Sequence, residues 1–220
     1  MRVVRLMALA LIALAAPFSR GAAQTCQGTA AFQDGRWRAA AFAHDNSSVS
    51  DIGAGMAYGI PRSFYGEISY DKLQYAHDGP SATGPGLAVG YQIHLSDTPL
   101  QLCPEVTVHY SSTTPVNTIE YGFGASMGYR VGISDWFTLV PAAGIRWLTL
   151  RGTSDIPNIV PPSASGSTSQ SVAPGSSSEV HMEIGLVFNK SFTIVPGLLV
   201  PSQNNTKSIF TLGVSINWAK

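Results

Sequence analysis

His109, Ser111 and Glu120 come nearest to a catalytic set in this chain: HYS at 109–111 puts a hydroxyl two positions from an imidazole, and a carboxylate follows across a short connection. A serine whose proton is drawn off by a histidine, with a carboxylate orienting the ring, is the machinery of acyl transfer and hydrolysis. A wider polar set, Glu67, Asp71, Gln92, His94, Glu105, His109, Glu120, Arg130, Arg146, His181 and Glu183, falls at alternate positions in separate segments. Such a set either lines a narrow polar conduit or fills an interior with hydrogen bonds and ion pairs, because buried charges must be paired. The chain carries no cluster with metal-ligand spacing, no phosphate loop and no nucleotide fingerprint, so no metal and no cofactor is expected.

What must position these residues is a series of strands. Residues 121–150 hold two alternating segments joined by a short turn at 132–135. Tyr121, Phe123, Ala125, Met127, Tyr129 and Val131 share one face of the first, and Phe137, Leu139, Pro141, Ala143, Ile145 and Trp147 share one face of the second. The opposite face carries Glu120, Gly122, Gly124, Ser126, Gly128 and Arg130, with Thr138, Ala142, Gly144 and Arg146. Strict period-two alternation marks strands with one apolar face, and these runs are long enough to cross a bilayer when tilted. The same pattern recurs at 52–60, 64–71, 87–95, 100–110, 180–188 and 210–218, and more weakly at 37–44 and 192–200, giving about ten strands. The count falls to eight if the alanine-blurred first run and the doubly apolar 192–200 run, with Val195 and Leu199 on its second face, are not strands.

The ends and the composition bound the class. Arg2 and Arg5 precede an apolar run at 6–16 and small residues at Gly21 and Ala23, so residues 1–23 are expected to be a secretory signal peptide cleaved before Gln24. Without it the chain holds ten basic against thirteen acidic residues, scattered rather than clustered, which offers no footprint for nucleic acid. Charged residues make up only 12% of the chain, and no apolar run after the leader reaches the length of a membrane helix. A membrane crossing would therefore use strands closed into a barrel, which leaves no backbone group unpaired in lipid. Residues 24–35 form a polar tail, and residues 36–220 the expected all-β, closed, antiparallel up-and-down transmembrane barrel.

Four short stretches repeat an aromatic, a tight polar turn and resumed alternation, and three of them place a proline soon after the turn. Four such turns imply four hairpins facing one way, while the connections at 44–51, 76–84, 111–118, 152–178 and 202–207 are longer. Aromatic residues gather towards both ends of the strands: Trp37, Tyr58, Phe64, Tyr91, Tyr129, Trp136 and Trp218 near the short turns, and Phe42, Tyr70, Tyr121, Trp147 and Phe210 near the longer loops. A soluble sandwich would bury the apolar face and would leave these belts without a role.

The leader, the alternating strands, the repeated GY-x-[IV] before a turn and the closing IFTLGVSINWAK resemble the outer-membrane β-barrel proteins, in the broad OmpA-like and porin-like grouping. The resemblance implies an outer-membrane location with short turns and both termini in the periplasm, contact with outer-membrane lipid and lipopolysaccharide, and assembly by the barrel-insertion machinery. It also implies a monomer with a structural or surface-interaction role, a small pore or passive transporter being the alternative. That family usually ends on an aromatic residue, whereas Trp218 is followed by Ala219 and Lys220, so the insertion signal is expected at Val214, Ile216 and Trp218. Alternation turns Cys103 into the lumen near the periplasmic rim, where Cys26 of the tail is also expected. The exported compartment is oxidising, so Cys26 and Cys103 are expected to form a disulfide across the barrel mouth, two separate thiols being the alternative. His109, Ser111 and Glu120 resemble the active site of the outer-membrane lipid A 3-O-deacylases, yet alternation points His109 into the lumen, away from lipid. The chain is thus expected not to be an enzyme, its polar residues plugging a barrel with little internal room. Residues 151–178, rich in Ser, Pro and Gly, are expected to form an external loop.

Overall fold

The computed structural model describes residues 36–45, 49–60, 63–75, 81–95, 98–113, 116–154, 170–202 and 208–219. The expected signal peptide, the tail and Cys26 lie outside the described residues. In chain order the strands are β1 (Arg36–Asp45), β2 (Val49–Ile60), β3 (Phe64–Tyr75), β4 (Ser81–Tyr91), β5 (Ile93–His94), β6 (Leu100–Thr113), β7 (Val116–Tyr129), β8 (Val131–Gly132), β9 (Phe137–Ser154), β10 (Gln170–Phe188), β11 (Phe192–Pro201) and β12 (Ile209–Ala219). Each pairs antiparallel with its neighbour, and β12 returns to pair with β1, Arg36 opposite Ala219 and Trp37 opposite Trp218. The sheet is therefore a closed barrel, and no described edge is left between the first strand and the last.

Ten of these strands are staves; β5 and β8 are two-residue continuations of β4 and β7. Both splits face a proline. The β4 ladder to β6 stops at Gly90 opposite Glu105 and resumes at Ile93 opposite Leu102, so the gap lies across from Pro104. The β7 ladder to β9 stops at Gly128 opposite Ala142 and resumes at Val131 opposite Leu139, across from Pro141. The β10–β11 ladder likewise lapses between Glu183 and Leu186, across from Pro196. Proline has no N–H to give a ladder, so the three repeated prolines each interrupt one seam, all close to the short-turn rim.

Both doubtful sequence segments are strands: the first as β1, and the doubly apolar one as β11, with Val195 and Leu199 on the cavity inside. The longer loops of the sequence reading are shorter than expected. Strands β6 and β7 stay paired as far as Thr113 opposite Val116, and residues 151–154 and 170–178, expected in a loop, belong to β9 and β10. Serine and glycine build no core, but they do not stop a backbone ladder, and here Gln170 still pairs with Ser154 beyond a register shift between Val172 and Gly175. Strands β9 and β10 thus have 18 and 19 residues against 10 in β1 and β11, and the loop rim is high on one side and low on the other.

The outside is apolar. Ile68, Phe123, Val106 and Ile52 each expose more than half of their surface, as do Ile184, Ile216 and Phe210. From Phe210 to Trp218 a strand tilted by about 40° rises roughly 20 Å at about 3.3 Å per residue, close to the apolar band of membrane barrels. Along the short-turn rim the rings touch in sequence: Trp37 and Tyr58 at 4.7 Å, Phe64 and Tyr91 at 4.6 Å, Trp136 and Phe137 at 5.7 Å, Phe137 and Phe188 at 5.2 Å. Trp218 stands beside Trp37, and Tyr129 opposite Leu100. Higher up, Trp147 stacks on Phe123 at 5.0 Å, and Phe210 lies on the exposed face of β12 opposite Asp45. Phe42 is a correction to the loop-side belt: it shares the inward parity of Arg38 and stacks on His44 at 5.2 Å inside the lumen.

Candidate functional site

The candidate site is the lumen. Its glycines, which make the inner face look like a poor core in the sequence, stand opposite large inward side chains. A Cβ at Gly90 would fall 2.1 Å from the Tyr65 ring, at Gly53 2.3 Å from Phe42, and at Gly144 2.4 Å from the His181 imidazole. Contacts that close do not occur between real side chains, so the missing Cβ is what lets each ring lie across the barrel.

At the short-turn end the packing is complete. Tyr65, Gln92, Cys103, Val140 and Thr193 are the largest fully buried side chains, all within a few residues of the turns, and Val187, Gln101 and Asn217 join them at this floor. Above it lies a ladder of polar pairs. Arg38 on β1, with only 5% of its side chain exposed, binds Glu67 on β3 at 2.5 Å. The Tyr65 hydroxyl donates to Glu105 on β6 at 2.6 Å. Arg146 Nε on β9 donates to Glu179 on β10 at 2.6 Å. Nearer the loop rim, His44 Nδ1 lies 3.0 Å from Asp51 and His109 Nε2 2.8 Å from Asp71 Oδ1. Pairing of this kind is what a low-dielectric interior demands of charge.

Glu67, Asp71, Glu105 and Arg146 of the sequence-derived polar set are therefore in direct pairs. Glu120 faces His109 across β6 and β7, while His181 and Glu183 line an open space described below. Arg130 is half-buried at the break between β7 and β8. His94 is exposed on β5 at the short-turn rim, outside the network, because the ladder lapse at Gln92 brings the strand to the end of the barrel. Arg38, Tyr65, Glu179, His44 and Asp51 do not appear in the sequence-derived set. Alternation extended by one residue at the strand ends would have found Asp51 and Glu179; Tyr65 lies inside 64–71 with the parity of Glu67, and Arg38 and His44 lie inside the alanine-blurred first run. Of the catalytic candidates, His109 bonds through Nε2 to Asp71 rather than to Ser111, Glu120 stands opposite His109 in the ladder, and Ser111 lies on the same inner face opposite Thr118. Cys103 is fully buried on the inner face of β6. Among the described residues no group of three or more His, Cys, Asp or Glu could hold a metal ion.

The lumen is not full. A cavity of about 250 Å³ runs beside β1, β11 and β12, from Ser215 up to His44 and Leu199 near the low side of the loop rim. One wall is charged, with Arg38, Glu67, Glu105, Arg146, Glu179 and Glu183; the other is mostly apolar, with Val195, Leu199, Gly213 and Phe42 beside the hydroxyls of Thr211 and Ser215. Oε2 of Glu183 is buried there and has no hydrogen-bond partner.

Protein-family models and curated proteins give no match to this chain. Among solved structures, the β domain of the Bordetella autotransporter BrkA superimposes with a TM-score of 0.50 at 12% identity, over 84% of this chain and 99% of that one. The N-terminal barrel domain of Pseudomonas aeruginosa OprF gives 0.36 at 11% identity, over 84% of this chain and 98% of that one. Neisserial surface protein A gives 0.38 at 16% identity, over 83% and 97%. The closed antiparallel barrel with an apolar outside and a polar inside is the outer-membrane β-barrel fold. Within that class the present chain is a ten-staved barrel with a packed floor, a paired polar interior and an uneven loop rim.

Proposed function

We propose that this chain is an integral outer-membrane β-barrel with a structural or surface-interaction role, its lumen largely plugged. The observation that carries this reading is the inversion of the two faces. The exposed side of nearly every strand is apolar, from Ile52 on β2 to Ile216 on β12, while Arg38, Glu105 and Arg146 are turned inside. In water that outside would form a continuous apolar patch far beyond what soluble monomers expose; in hydrocarbon it is the favourable surface. Residues 1–23 then serve export, both termini lie at the periplasmic rim where β1 meets β12, and Val214, Ile216 and Trp218 present the insertion signal. Lipid and lipopolysaccharide surround a single copy, and the tall β9–β10 hairpin stands above the band as the surface most available to a partner. A Cys26–Cys103 disulfide ties the tail to the floor. This reading assigns no enzymatic role and takes the His109–Asp71 contact as one more of the paired groups inside the lumen.

The test is migration of the membrane fraction on a gel with and without boiling, for which a folded barrel is expected to shift. A soluble, unshifted band overturns the reading. The cavity beside β11 and β12 favours a second reading, a small pore or passive transporter, and planar-bilayer recordings separate the two: a plugged lumen gives no discrete openings.

A further inference from the structure

We propose that the lumen cavity is a binding site for a small organic monocation, an ammonium group joined to a compact apolar body, held by Glu183. The proposal rests on the barrel reading above but adds a ligand class and a residue to it.

Charge decides the sign of the ligand. The two guanidinium groups on the cavity wall are each matched: Arg38 by Glu67 and Arg146 by Glu179. Glu105 accepts the Tyr65 hydroxyl at 2.6 Å. Glu183 is left: it lines the cavity, and its buried Oε2 has no hydrogen-bond partner. A buried carboxylate oxygen without a donor is costly, and an ammonium group is the ligand feature that supplies donors and charge together. An anion would meet four carboxylates on a wall whose cations are already engaged.

Shape decides the rest. The space facing the charged wall is lined mainly by Val195, Leu199 and Phe42, with the Thr211 and Ser215 hydroxyls of β12 beside them, so the part of the ligand away from its ammonium is largely apolar. A volume of about 250 Å³ falls just below the roughly 300–1,000 Å³ of drug-sized sites, and suits a single ring or a short alkyl chain. The packed floor closes the short-turn end, so the ligand enters from the low side of the loop rim, past His44 and Leu199.

The experiment titrates benzylammonium into the full-length barrel in zwitterionic detergent, by calorimetry, with benzyl alcohol and benzoate as matched neutral and anionic probes. Benzylammonium is expected to bind about ten- to a hundredfold more tightly than benzyl alcohol, the range of a charge-assisted contact. Glu183→Gln is expected to remove that preference, and Val195→Phe, which fills the apolar side, to weaken benzylammonium by at least about tenfold. No binding of benzylammonium to the wild-type barrel, equal affinity for the alcohol, or tighter binding of benzoate overturns the proposal. So does an unchanged preference in Glu183→Gln. The comparison of three probes on the wild type stands even if a variant does not fold. A preparation without the boiling-dependent gel shift would instead count against the barrel itself.

Discussion

Replacing Arg38 by Met should cost the barrel about 3 kcal/mol, and most of that cost should vanish when Glu67 is also replaced. The two side chains meet at 2.5 Å, with 5% and 19% of their surfaces exposed, so neither has bulk water to fall back on. Breaking a buried pair by removing one partner typically costs about 3–5 kcal/mol, because the other charge stays buried and unmatched. Glu67 keeps some exposure, which places the single variant at the lower end. Arg38→Met with Glu67→Gln removes both charges and keeps the volume, and replacing a buried pair by well-fitting neutral groups is often close to neutral. The cycle should therefore show a coupling of at least about 2–3 kcal/mol between the two positions, larger by whatever Glu67→Gln alone costs. Urea unfolding from lipid vesicles, followed by tryptophan emission, is the assay. All four tryptophans, Trp37, Trp136, Trp147 and Trp218, lie on the outer surface or in a turn at the rim, so each reports departure from lipid. A single variant within about 0.5 kcal/mol of wild type, or a coupling near zero, would refute the claim that the lumen pairs act as a desolvated plug.

Phe123, 60% exposed and stacked on Trp147, should face hydrocarbon, so Phe123→Arg is expected to cost about 2–4 kcal/mol in the same unfolding assay, while Ser112→Arg at the loop end of β6 changes little. Gly90→Val should push the Tyr65 ring off Glu105 and lower the boiling temperature at which the gel shift is lost; Tyr65→Ala in the same chain should restore part of it, since the clash is with that ring. Lys190 sits at φ 61° in the β10–β11 turn, so Lys190→Val should destabilise by about 1–2 kcal/mol and Lys190→Gly should not, read as the shift in urea midpoint. Non-reducing mass spectrometry of the mature protein is expected to find Cys26 and Cys103 in one linked peptide pair; two alkylatable thiols would rule the bridge out.

The staves were legible because alternation depends on one physical fact, that successive side chains in a strand point to opposite faces. It located β2, β7 and β12 and the inward set of Glu67, Glu105, Arg146 and Glu183 from residue types alone. It faltered where residue type carries no information about side. The alanines of β1 hid Arg38 and Phe42, whose inward parity appears only once the register with Tyr58 and Trp218 is known. Serine and glycine at 170–178 read as loop because composition speaks to cores and not to backbone ladders. Pairing partners were out of reach for another reason: Arg38 and Glu67 are 29 residues apart, and only the stagger of three strands brings their heights together.

That stagger also separates two kinds of glycine which the sequence cannot distinguish. At Gly53, Gly90 and Gly144 a Cβ would collide with an aromatic ring or imidazole crossing the lumen, so these positions are empty because a neighbour fills them. At Gly213 the same atom would rest 3.7 Å from Val195, an ordinary contact, and no ring lies over it. The first kind fills the lumen locally by matching small against large across the barrel. The second leaves room that no side chain fills, in the cavity that Glu183 also lines. An eight-stave barrel has an interior that side chains fill, and two further staves widen it. The charged half of this barrel absorbs the extra width with long pairs such as Arg146 and Glu179. The half made by β11, β12 and β1 faces it with Ala40, Val195, Gly213 and Ser215, and so the width remains there as a cavity.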